Sequence, residues 1–544
     1  MAILIETSPF FQPISSSSSF SLSSSFSLPS ILKCKIQQNP SGNTHFLAGK
    51  KKLFFCLRPN HHHNAIETRL LSPFAIHLSV ARARSNNAEP PSSDQSRQHQ
   101  FIKEAKHQFI KEAKGSSRVL TESDVVIVGA GIIGLAIANR LLTDTDFSVT
   151  VVDAKQPCAG ASGAGQGYLW LGHMQPQDQG WPVAYRSKQI WEDLASELRA
   201  SGVDPLMVIG WKNTGSMIVA DTHDKASKLR NRVEVLQKAG AQIEYLDAVL
   251  AKKREPAISI EASGGAAFAP EDSQIDARLA TLFLQERNRS YCGQGRYSEL
   301  FHNGVTNFIL SSADRHIRGV QTSQGFVYST EAVVVAAGSW TASVMRTMAE
   351  EHDLPVVPSI KPRKGHLLVL EEIPNLRLNH GLMEAGYKEH VPTSECDTND
   401  GTSSSALDDL GIAMTATIDS KGSLLLGSSR QFVGFDENPS DEVIEHILHR
   451  AAEFLPALRT FSTSELRERT TVRTGFRPYI SDEKPILGPV PGMSGLFLAS
   501  GHEGSGLSMA PATAEIISRM ISGASMPLDP TPFLPSGRLS RSQS

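Results

Sequence analysis

The glycine-rich segment Gly129–Gly134 has the spacing that points most directly to chemistry. It follows the pattern G-x-G-x-x-G, which binds the pyrophosphate of a dinucleotide when a strand precedes it and a helix follows. The first glycine permits a tight turn, the second lets a phosphate approach the backbone, and the third lets helix and strand pack closely. Free N–H groups at the start of the helix then favour the negative phosphates.

The elements that must position this segment are readable on both sides of it. Asp124–Val128 is a β-branched apolar run typical of a buried strand, and Leu135–Leu142 favours a helix. Phe147–Val152 predicts a second strand, followed at once by Asp153, which stands 19 positions after the last glycine. An acid at this distance accepts hydrogen bonds from ribose hydroxyls. Strand, loop, helix, strand and acid together predict a dinucleotide site, without separating FAD from NAD; the alternative is a purely structural turn.

Four later blocks extend the pattern. Pro157–Gly165 is rich in small residues that could give a pyrophosphate further backbone and hydroxyl donors. Ala332–Trp340 predicts a strand ending against a ligand. Arg473–Gly488 and Leu496–Gly506 stand near the end of the chain, and the second contains the loop Gly-His-Glu-Gly-Ser-Gly.

With these blocks the chain resembles the D-amino-acid-oxidase-like (DAO) FAD oxidoreductases, which include glycine oxidase, D-amino-acid dehydrogenase and the sarcosine oxidases. The loop at 501–506 and the block Gly427–Phe435 are most similar to the branch of opine oxidase and hydrogen cyanide synthase. The resemblance extends from about Ser123 to Gly523. It implies an α/β fold with additional antiparallel β structure, in which a Rossmann-like FAD-binding domain of the glutathione-reductase type carries an interleaved antiparallel-sheet substrate domain.

The resemblance also implies the cofactor, FAD. Members that attach it covalently have a cysteine seven residues before the aspartate that corresponds to Asp482, where this chain has Gly475, so we expect non-covalent FAD. Residues 501–508 would surround the flavin ring, and a helix predicted over Pro511–Met520 would point its N-terminus toward it. The candidate cofactor-binding residues are Gly129, Ala130, Gly131, Ile132, Ile133, Gly134, Asp153, Ala154, Ser162, Gly163, Val305, Gly338, Gly501, His502, Glu503, Gly504, Ser505, Gly506 and Leu507.

Arg477 occupies the position at which the family binds the substrate's α-carboxylate, and a guanidinium suits a carboxylate bidentately. The alternative is a surface salt bridge. His366 and His502 are candidate acid–base groups, although such histidines often serve only as hydrogen-bonding groups. Tyr387 and Tyr479 could line the pocket. Glycine oxidase has a second arginine where this chain has Glu503, so either Arg477 lacks a partner or the substrate carries a cationic group facing Glu503.

These resemblances imply oxidation of the C–N bond of an amino acid or secondary amine, by hydride transfer to flavin N5, to an imine that hydrolyses. The alternatives are a catalytically silent FAD-containing assembly factor, a flavin hydroxylase and an NAD-dependent enzyme. Sarcosine oxidases use a lysine for oxygen at the position of Ser508, so the electron acceptor is left as oxygen or another oxidant. The amine itself is not identified.

Composition limits the other classes of function. The 544 residues carry a net charge of −3, which gives no reason to expect nucleic acid or an anionic membrane as a partner. No run of about 18 apolar residues predicts a membrane span. The five cysteines form no C-x-x-C pair, so we predict no metal site.

The chain is expected to divide into several segments. Residues 1–84 are serine-rich, basic and poor in acids, which is typical of an organelle transit peptide, of the plant chloroplast type first and the mitochondrial type second. Residues 85–120 form a linker with a tandem His-Gln-Phe-Ile-Lys-Glu-Ala-Lys, to which no role is assigned. The predicted FAD-binding domain comprises residues 121–209, 274–350 and 471–525, the substrate domain 210–273 and 351–470, and the C-terminal tail 526–544.

Within the substrate domain, Trp211–Ala220 and Ile360–Glu371 predict strands, and Met414–Gly427 predicts a hairpin. Asp441–Leu458 predicts an amphipathic helix, and Thr393–Asp409 a loose polar loop.

Overall fold

The computed structural model describes residues 118–311, 315–352, 354–371, 373–387 and 410–541. The predicted transit peptide, the tandem octapeptide and the loop predicted over 393–409 lie outside these residues.

Two large sheets and the helices that cover them make up the described fold. Its strands, β1 to β20, are Val119–Val128, Val149–Val152, Tyr168–Leu169, Ser216–Ala220, Glu244–Asp247, Gly265–Ala269, Ser273–Gln274, Tyr297–Leu300, Val305–Leu310, Ile317–Thr322, Gly325–Val335, Val357–Pro358, Lys361–Leu370, Gly381–Glu384, Thr415–Ile418, Leu424–Gly427, Thr470–Tyr479, Ile486–Pro489, Leu496–Ser500 and Leu539–Ser540. Its α-helices, α1 to α11, are Ile132–Asp144, Ala161–Ala164, Trp181–Ala200, Pro205–Ile209, His223–Lys238, Ala248–Arg254, Ala277–Arg289, Thr341–His352, Asp441–Phe454, Thr463–Glu468 and Gly506–Ser522. Short 3₁₀ turns are Cys292–Gln294, Gly338–Trp340, Pro456–Thr460, Glu503–Ser505 and Thr531–Phe533.

The first sheet has the order β18-β19-β11-β1-β2-β8, with β10 and β9 added beside β11. Strands β19, β11, β1, β2 and β8 run parallel. The predicted ligand-binding segments follow the carboxyl ends of four of these strands: Gly129 after β1, Asp153 after β2, Gly338 after β11 and Gly501 after β19. Because the carboxyl ends of parallel strands lie at one edge, the topology brings these distant segments together where open α/β sheets bind ligands.

The second sheet has the order β17-β13-β16-β15-β14-β4-β6-β5 and is antiparallel except between β14 and β4. The hairpin predicted over Met414–Gly427 is present as β15 and β16. The strand predicted over Ile360–Glu371 is present as β13, but the strand predicted over Trp211–Ala220 begins only at Ser216. Gly215 precedes it with φ +69°, a conformation that interrupts a strand.

Strand β17 lies in the second sheet, although the predicted division put residues 471–525 in the FAD-binding domain. It pairs with β13 over ten residues, from Lys361 opposite Tyr479 to Leu370 opposite Thr470. The segment predicted as a C-terminal tail contributes β20, which pairs with β12, and the buried side chain of Phe533. These pairings connect the end of the chain to the fold.

Helix α9 packs on the second sheet through its predicted face. Its six inward residues are all buried: Val443, Ile444, Ile447, Leu448, Ala451 and Phe454. The helix ends at Phe454 instead of the predicted Leu458, because Pro456 disfavours a helical conformation for the residue before it. Ser440 caps its N-terminus by accepting a hydrogen bond from the Val443 N–H.

Helix α11 begins at Gly506, five residues before the predicted Pro511. Proline inside a helix leaves the carbonyl four residues earlier without its N–H donor. That carbonyl, of Leu507, instead accepts a hydrogen bond from Trp191 Nε1 at 3.0 Å, from the neighbouring helix α3. The correction moves the helix N-terminus back to the glycine loop.

Candidate cofactor and substrate site

A cavity of about 380 Å³ lies between the carboxyl edge of the first sheet and the strands β13 and β17 of the second. Most of the predicted cofactor residues line it. These are Gly129, Ala130, Gly131, Ile132, Ile133, Asp153, Ala154, Ser162, Val305, Gly338, His502, Glu503, Gly504, Gly506 and Leu507. Arg477, His366 and Tyr387 line the same cavity, so one continuous space joins the predicted cofactor and substrate residues.

The loop after β1 shows why glycine stands at its fixed positions. A Cβ atom on Gly129, whose φ is +118°, would lie 2.4 Å from the Ala336 carbonyl oxygen. A Cβ on Gly134 would lie 2.0 Å from the Gly129 carbonyl oxygen, so Gly134 allows close packing without lining the cavity. At Gly131 a Cβ would meet only Ser162 Oγ, at 3.2 Å.

The short helix α2 adds a second support to this loop. Ser162 Oγ accepts a hydrogen bond from the backbone N–H of Ile132 at 2.9 Å and so holds α2 against the start of α1. Gly163 lies away from the cavity, where a Cβ would be 2.2 Å from the Cys158 carbonyl oxygen. Its role is close packing within the turn.

Asp153 lies at the end of β2, where its carboxylate faces both the loop and the cavity. It accepts hydrogen bonds from the N–H of Ala130 and of Lys155, each at 2.7 Å. Burial raises the pKa of Asp153 above its ordinary value, although these two hydrogen bonds lower it. Each carboxylate oxygen can accept more than one hydrogen bond, so Asp153 can still accept one from a ligand hydroxyl.

The cavity wall fits a dinucleotide such as FAD. A Cβ on Gly338 would meet no atom within 4 Å, and one on Gly506 none closer than 4.0 Å, although both glycines line the cavity. Cavity space therefore reaches the backbone at both points. Helices α1 and α11 both begin at the wall, with no acidic residue in the first turn and no side-chain cap. Apart from the Ile132 N–H, which donates to Ser162 Oγ, their first N–H groups can serve an anionic ligand.

Two residues of the predicted C-terminal loop do not line the cavity, Gly501 and Ser505. Gly501, with φ +83°, turns the chain after β19. Ser508 also lies off the cavity wall, and its Oγ donates a hydrogen bond to the Ser505 carbonyl at 3.1 Å.

Gly475 leaves no room for a side chain. A Cβ on this residue would lie 2.9 Å from the Cβ of Ala164 in helix α2. The close contact of β17 with α2 therefore requires glycine at this position.

Arg477 is held at the cavity by the register of β13 and β17. The pairing sets Gly475 opposite Gly365, and the guanidinium of Arg477 lies over Gly365, where a Cβ would come within 2.3 Å of Nη1. Nη1 donates a hydrogen bond to the Ser429 carbonyl at 2.9 Å. The remaining guanidinium nitrogens leave donors for a carboxylate.

Glu503 is paired with the chain's own arginines. Its Oε1 lies 3.3 Å from Arg363 Nη1 and 3.9 Å from Arg477 Nε. Burial raises the pKa of Glu503, but the positive charges of Arg477, Arg430 and Arg363 outweigh it and hold the pKa below its ordinary value. The carboxylate is therefore ionised and already neutralised, which argues against the prediction that it faces a cationic group of the substrate.

The two candidate acid–base histidines are neutral hydrogen-bonding groups. His366 Nε2 accepts from the Ser440 N–H at 3.2 Å, so Nδ1 carries the proton and donates to Ser429 Oγ at 2.8 Å. Burial, and then the charges of Lys364 and Arg477, lower the pKa of His366 to about 4. Burial lowers the pKa of His502 to about 3, and its Nε2 lies 3.0 Å from Thr513 Oγ1. Both support the site as uncharged hydrogen-bonding groups near neutral pH.

Several lining or adjoining residues were absent from the prediction. Gln166, Tyr168 and Ser428 line the cavity, and Arg363 and Arg430 lie behind it. Arg363 stands three residues before His366, and Arg430 belongs to the block Gly427–Phe435. Both arginines therefore lie in segments that the sequence analysis noted, but their residue type alone did not identify them as part of the site. The hydroxyl of Tyr168 is buried and has no hydrogen-bond partner among the described residues.

The described residues can be compared with the requirements of a metal site and of a membrane-spanning helix. No group of three or more His, Cys, Asp or Glu side chains there is placed to hold a metal ion. None of the described helices is long and apolar enough to cross a membrane.

Comparison with known proteins extends these observations. The pattern of a family described as FAD dependent oxidoreductase (DAO) matches residues 124–520. Glycine oxidase of Pseudomonas putida is 27% identical, covering 76% of this chain and 99% of that protein. Hydrogen cyanide synthase subunit HcnC of Pseudomonas protegens is 26% identical, covering 76% and 95%. The crystal structure of glycine oxidase from Geobacillus kaustophilus superposes with a TM-score of 0.62 at 24% identity, covering 78% of this chain and 100% of that one.

Gly129→Ala tests the dinucleotide loop. The added Cβ would meet the Ala336 carbonyl at 2.4 Å, so we expect the purified variant to hold little FAD. Gly202→Ala is the control, because Gly202 also has a positive φ, +76°, but its Cβ would meet nothing within 4 Å. Flavin absorbance relative to protein absorbance measures occupancy, and circular dichroism checks the fold. Equal flavin content in the two variants would contradict the assigned role of the loop.

His366→Gln tests the neutral state of the buried histidine. A histidine with a pKa of about 4 in the folded chain and about 6.5 in the unfolded chain makes the unfolded state bind more protons between these values. The free energy of unfolding therefore falls as pH falls through this window. We expect His366→Gln to weaken this pH dependence in urea unfolding at pH 7 and pH 5. His223→Gln, at a side chain 82% exposed, should leave it unchanged. If His366→Gln left the pH dependence of the free energy of unfolding unaltered, the assignment of His366 as a buried neutral histidine would be refuted.

Proposed function

The chain belongs to the FAD dependent oxidoreductase family, and we propose that it oxidises the carbon–nitrogen bond of an amino acid whose carboxylate is bound by Arg477. The observation that carries the proposal is the position of this arginine. It stands on β17, over Gly365, in the cavity that the dinucleotide loop also lines. The similarity to glycine oxidases over nearly their whole length supports the same class of donor.

FAD, when bound, supplies a two-electron acceptor for the C–H bond next to nitrogen. The residues that would hold it are the Gly129–Gly134 loop, Asp153, Ser162 and the segment 501–507. An amine that loses a hydride and a proton becomes an imine, which water hydrolyses to a carbonyl compound and ammonia or a primary amine.

The chain's own contribution is orientation and charge. Arg477 fixes the carboxylate, so that the adjacent C–H bond has one direction within the cavity. Tyr387 lines the same cavity, where a hydrogen bond of 3.2 Å between its hydroxyl and Ser428 Oγ positions its ring. Burial raises the pKa of Tyr387, but the charges of Arg430 and Arg477 outweigh it and bring the pKa below its ordinary value. No proton carrier is required of His366 or His502, because the substrate reacts as the neutral amine.

Arg477→Lys tests the carboxylate contact. We expect the anaerobic holoenzyme to lose its yellow absorption when a suitable amino acid is added. The dissociation constant for that amino acid should be about tenfold or more higher in the variant, because lysine cannot make the bidentate contact. Arg473→Lys, on the same strand but off the cavity wall, is the control and should match the wild type. Absorption at the flavin bands is the measurement.

No bleaching with a broad panel of amino acids would contradict the proposal and favour an assembly factor. Admitting air after bleaching tests whether oxygen is the electron acceptor of the reduced flavin. We propose a dehydrogenase, since Ser508 puts an uncharged side chain where the sarcosine oxidases use a lysine. Slow recovery of absorption in air supports that assignment, whereas rapid recovery identifies an oxidase.

We propose a plastid location on the composition of residues 1–84, which are serine-rich, basic and almost free of acids. A fluorescent protein fused to residues 1–84 and expressed in leaf cells should accumulate in chloroplasts. A variant with the basic residues of that segment changed to glutamine is the control and should stay outside. Mitochondrial fluorescence would overturn the assignment.

A further inference from the structure

Three arginines surround one glutamate at the end of the cavity that Arg477 lines, two of them behind its wall. The four residues are Arg363, Arg430, Arg477 and Glu503, called here the arginine cluster. Three positive charges face one negative charge, which leaves an excess of two positive charges. A single α-carboxylate would neutralise only half of this excess.

The register of the second sheet puts two of these charges side by side. Arg363 and Arg477 are direct partners across the antiparallel pair β13 and β17. Like charges at directly opposed positions destabilise a sheet. Their shared contact with Glu503 Oε1 offsets only one of the two charges.

Arg430 supplies the third charge from a separate segment. Its guanidinium lies 4.0 Å from the ring centroid of Tyr387, and its Nη1 donates to the Tyr387 carbonyl. Tyr387 lines the cavity, so this charge lies one aromatic ring away from it. Burial, and then the charges of Arg430 and Arg477, lower the pKa of Arg363, although Glu503 opposes them.

These charges are buried and incompletely hydrogen-bonded. Arg363 is 7% exposed and Arg430 is 5% exposed. The Nε atom of each is buried without a hydrogen-bond partner in the part of the chain that the structure describes. Buried charges are normally compensated, so the positive charge that Glu503 leaves unbalanced favours an anionic ligand.

A second cluster in the same molecule shows the difference. Glu515 also meets three arginines: Arg140, Arg186 and Arg519. Their side chains are 30%, 35% and 28% exposed, and Arg140 also pairs with Asp144 at 2.6 Å, so water and a second carboxylate compensate their charge. The side chain of Arg363 is only 8% exposed, so the arginine cluster lacks that compensation.

We propose that the substrate is an amino acid with two carboxylates, both bound at the arginine end of the cavity. The proposal rests on the proposed function for the reaction itself. Arg477 contacts the first carboxylate, and the charges of Arg363 and Arg430 favour the second. Amino dicarboxylic acids and N-carboxyalkyl amino acids meet this requirement. Substrates with one carboxylate leave buried positive charge unpaired.

Binding without turnover tests the inference separately from the reaction. The holoenzyme is titrated with succinate and with its half-amide succinamate, which share shape and lack an amine, and the shift of the flavin absorption gives each dissociation constant. We expect succinate to bind at least about tenfold more tightly, because a charge-assisted contact exceeds a neutral one by about this factor. Glutarate and glutaramate repeat the comparison at one more methylene. Equal affinities, or tighter binding of the half-amides, would overturn the inference.

Arg430→Met tests whether the arginine cluster causes the preference for two carboxylates. We expect the ratio of the dissociation constants of succinamate and succinate to fall toward one in this variant. Arg519→Met, which removes one arginine from the Glu515 cluster, is the matched control and should keep the wild-type ratio.

Anaerobic bleaching of the flavin extends the test to turnover. It compares glutamate with glutamine, and iminodiacetate with its monoamide. If bleaching occurs but favours the amides, the dicarboxylate inference fails and the proposed function stands. If dicarboxylates bind selectively but no amine bleaches the flavin, the proposed function fails instead.

Discussion

The ten-residue antiparallel pairing of β13 with β17 is the constraint on which the rest of the site depends. It sets Gly365 opposite Gly475 and Arg363 opposite Arg477. The first pair leaves the space that the Arg477 guanidinium occupies, and Gly475 lets β17 press on helix α2. Ser162 of that helix bonds to Ile132 at the start of α1. Arg477 and the glycine loop Gly129–Gly134 are thus fixed relative to each other through a short series of direct contacts.

The same pairing explains the charge of the substrate end. A sheet that places two arginines side by side must compensate them, and Glu503 from the loop after β19 does so only in part. The loop residue that was predicted to meet a cationic substrate group instead meets the chain's own cations. An anionic ligand completes this arrangement better than a zwitterion with one carboxylate, so charge and position point to the same class of substrate.

Local patterns in the sequence predicted much of this fold, whereas contacts between distant segments were not predictable. The buried face of α9 and the β15–β16 hairpin follow from periodicity within about twenty residues. The dinucleotide loop was recognisable because its glycines, strand and acid lie close together. The partnership of Arg363 with Arg477 depends on a register between segments more than a hundred residues apart, which no local pattern records. The start of α11 was misplaced because Pro511 favours a first turn, while Trp191 satisfies the carbonyl that the proline leaves free.

We propose that one cavity holds FAD on the Gly129–Gly134 loop and a substrate carboxylate on Arg477. A crystal structure of the holoenzyme with succinate bound is the most direct test. We expect the FAD pyrophosphate at the N-terminus of helix α1 and a carboxylate oxygen within hydrogen-bonding distance of the Arg477 guanidinium. A carboxylate bound away from Arg477, or FAD bound away from the glycine loop, would contradict it.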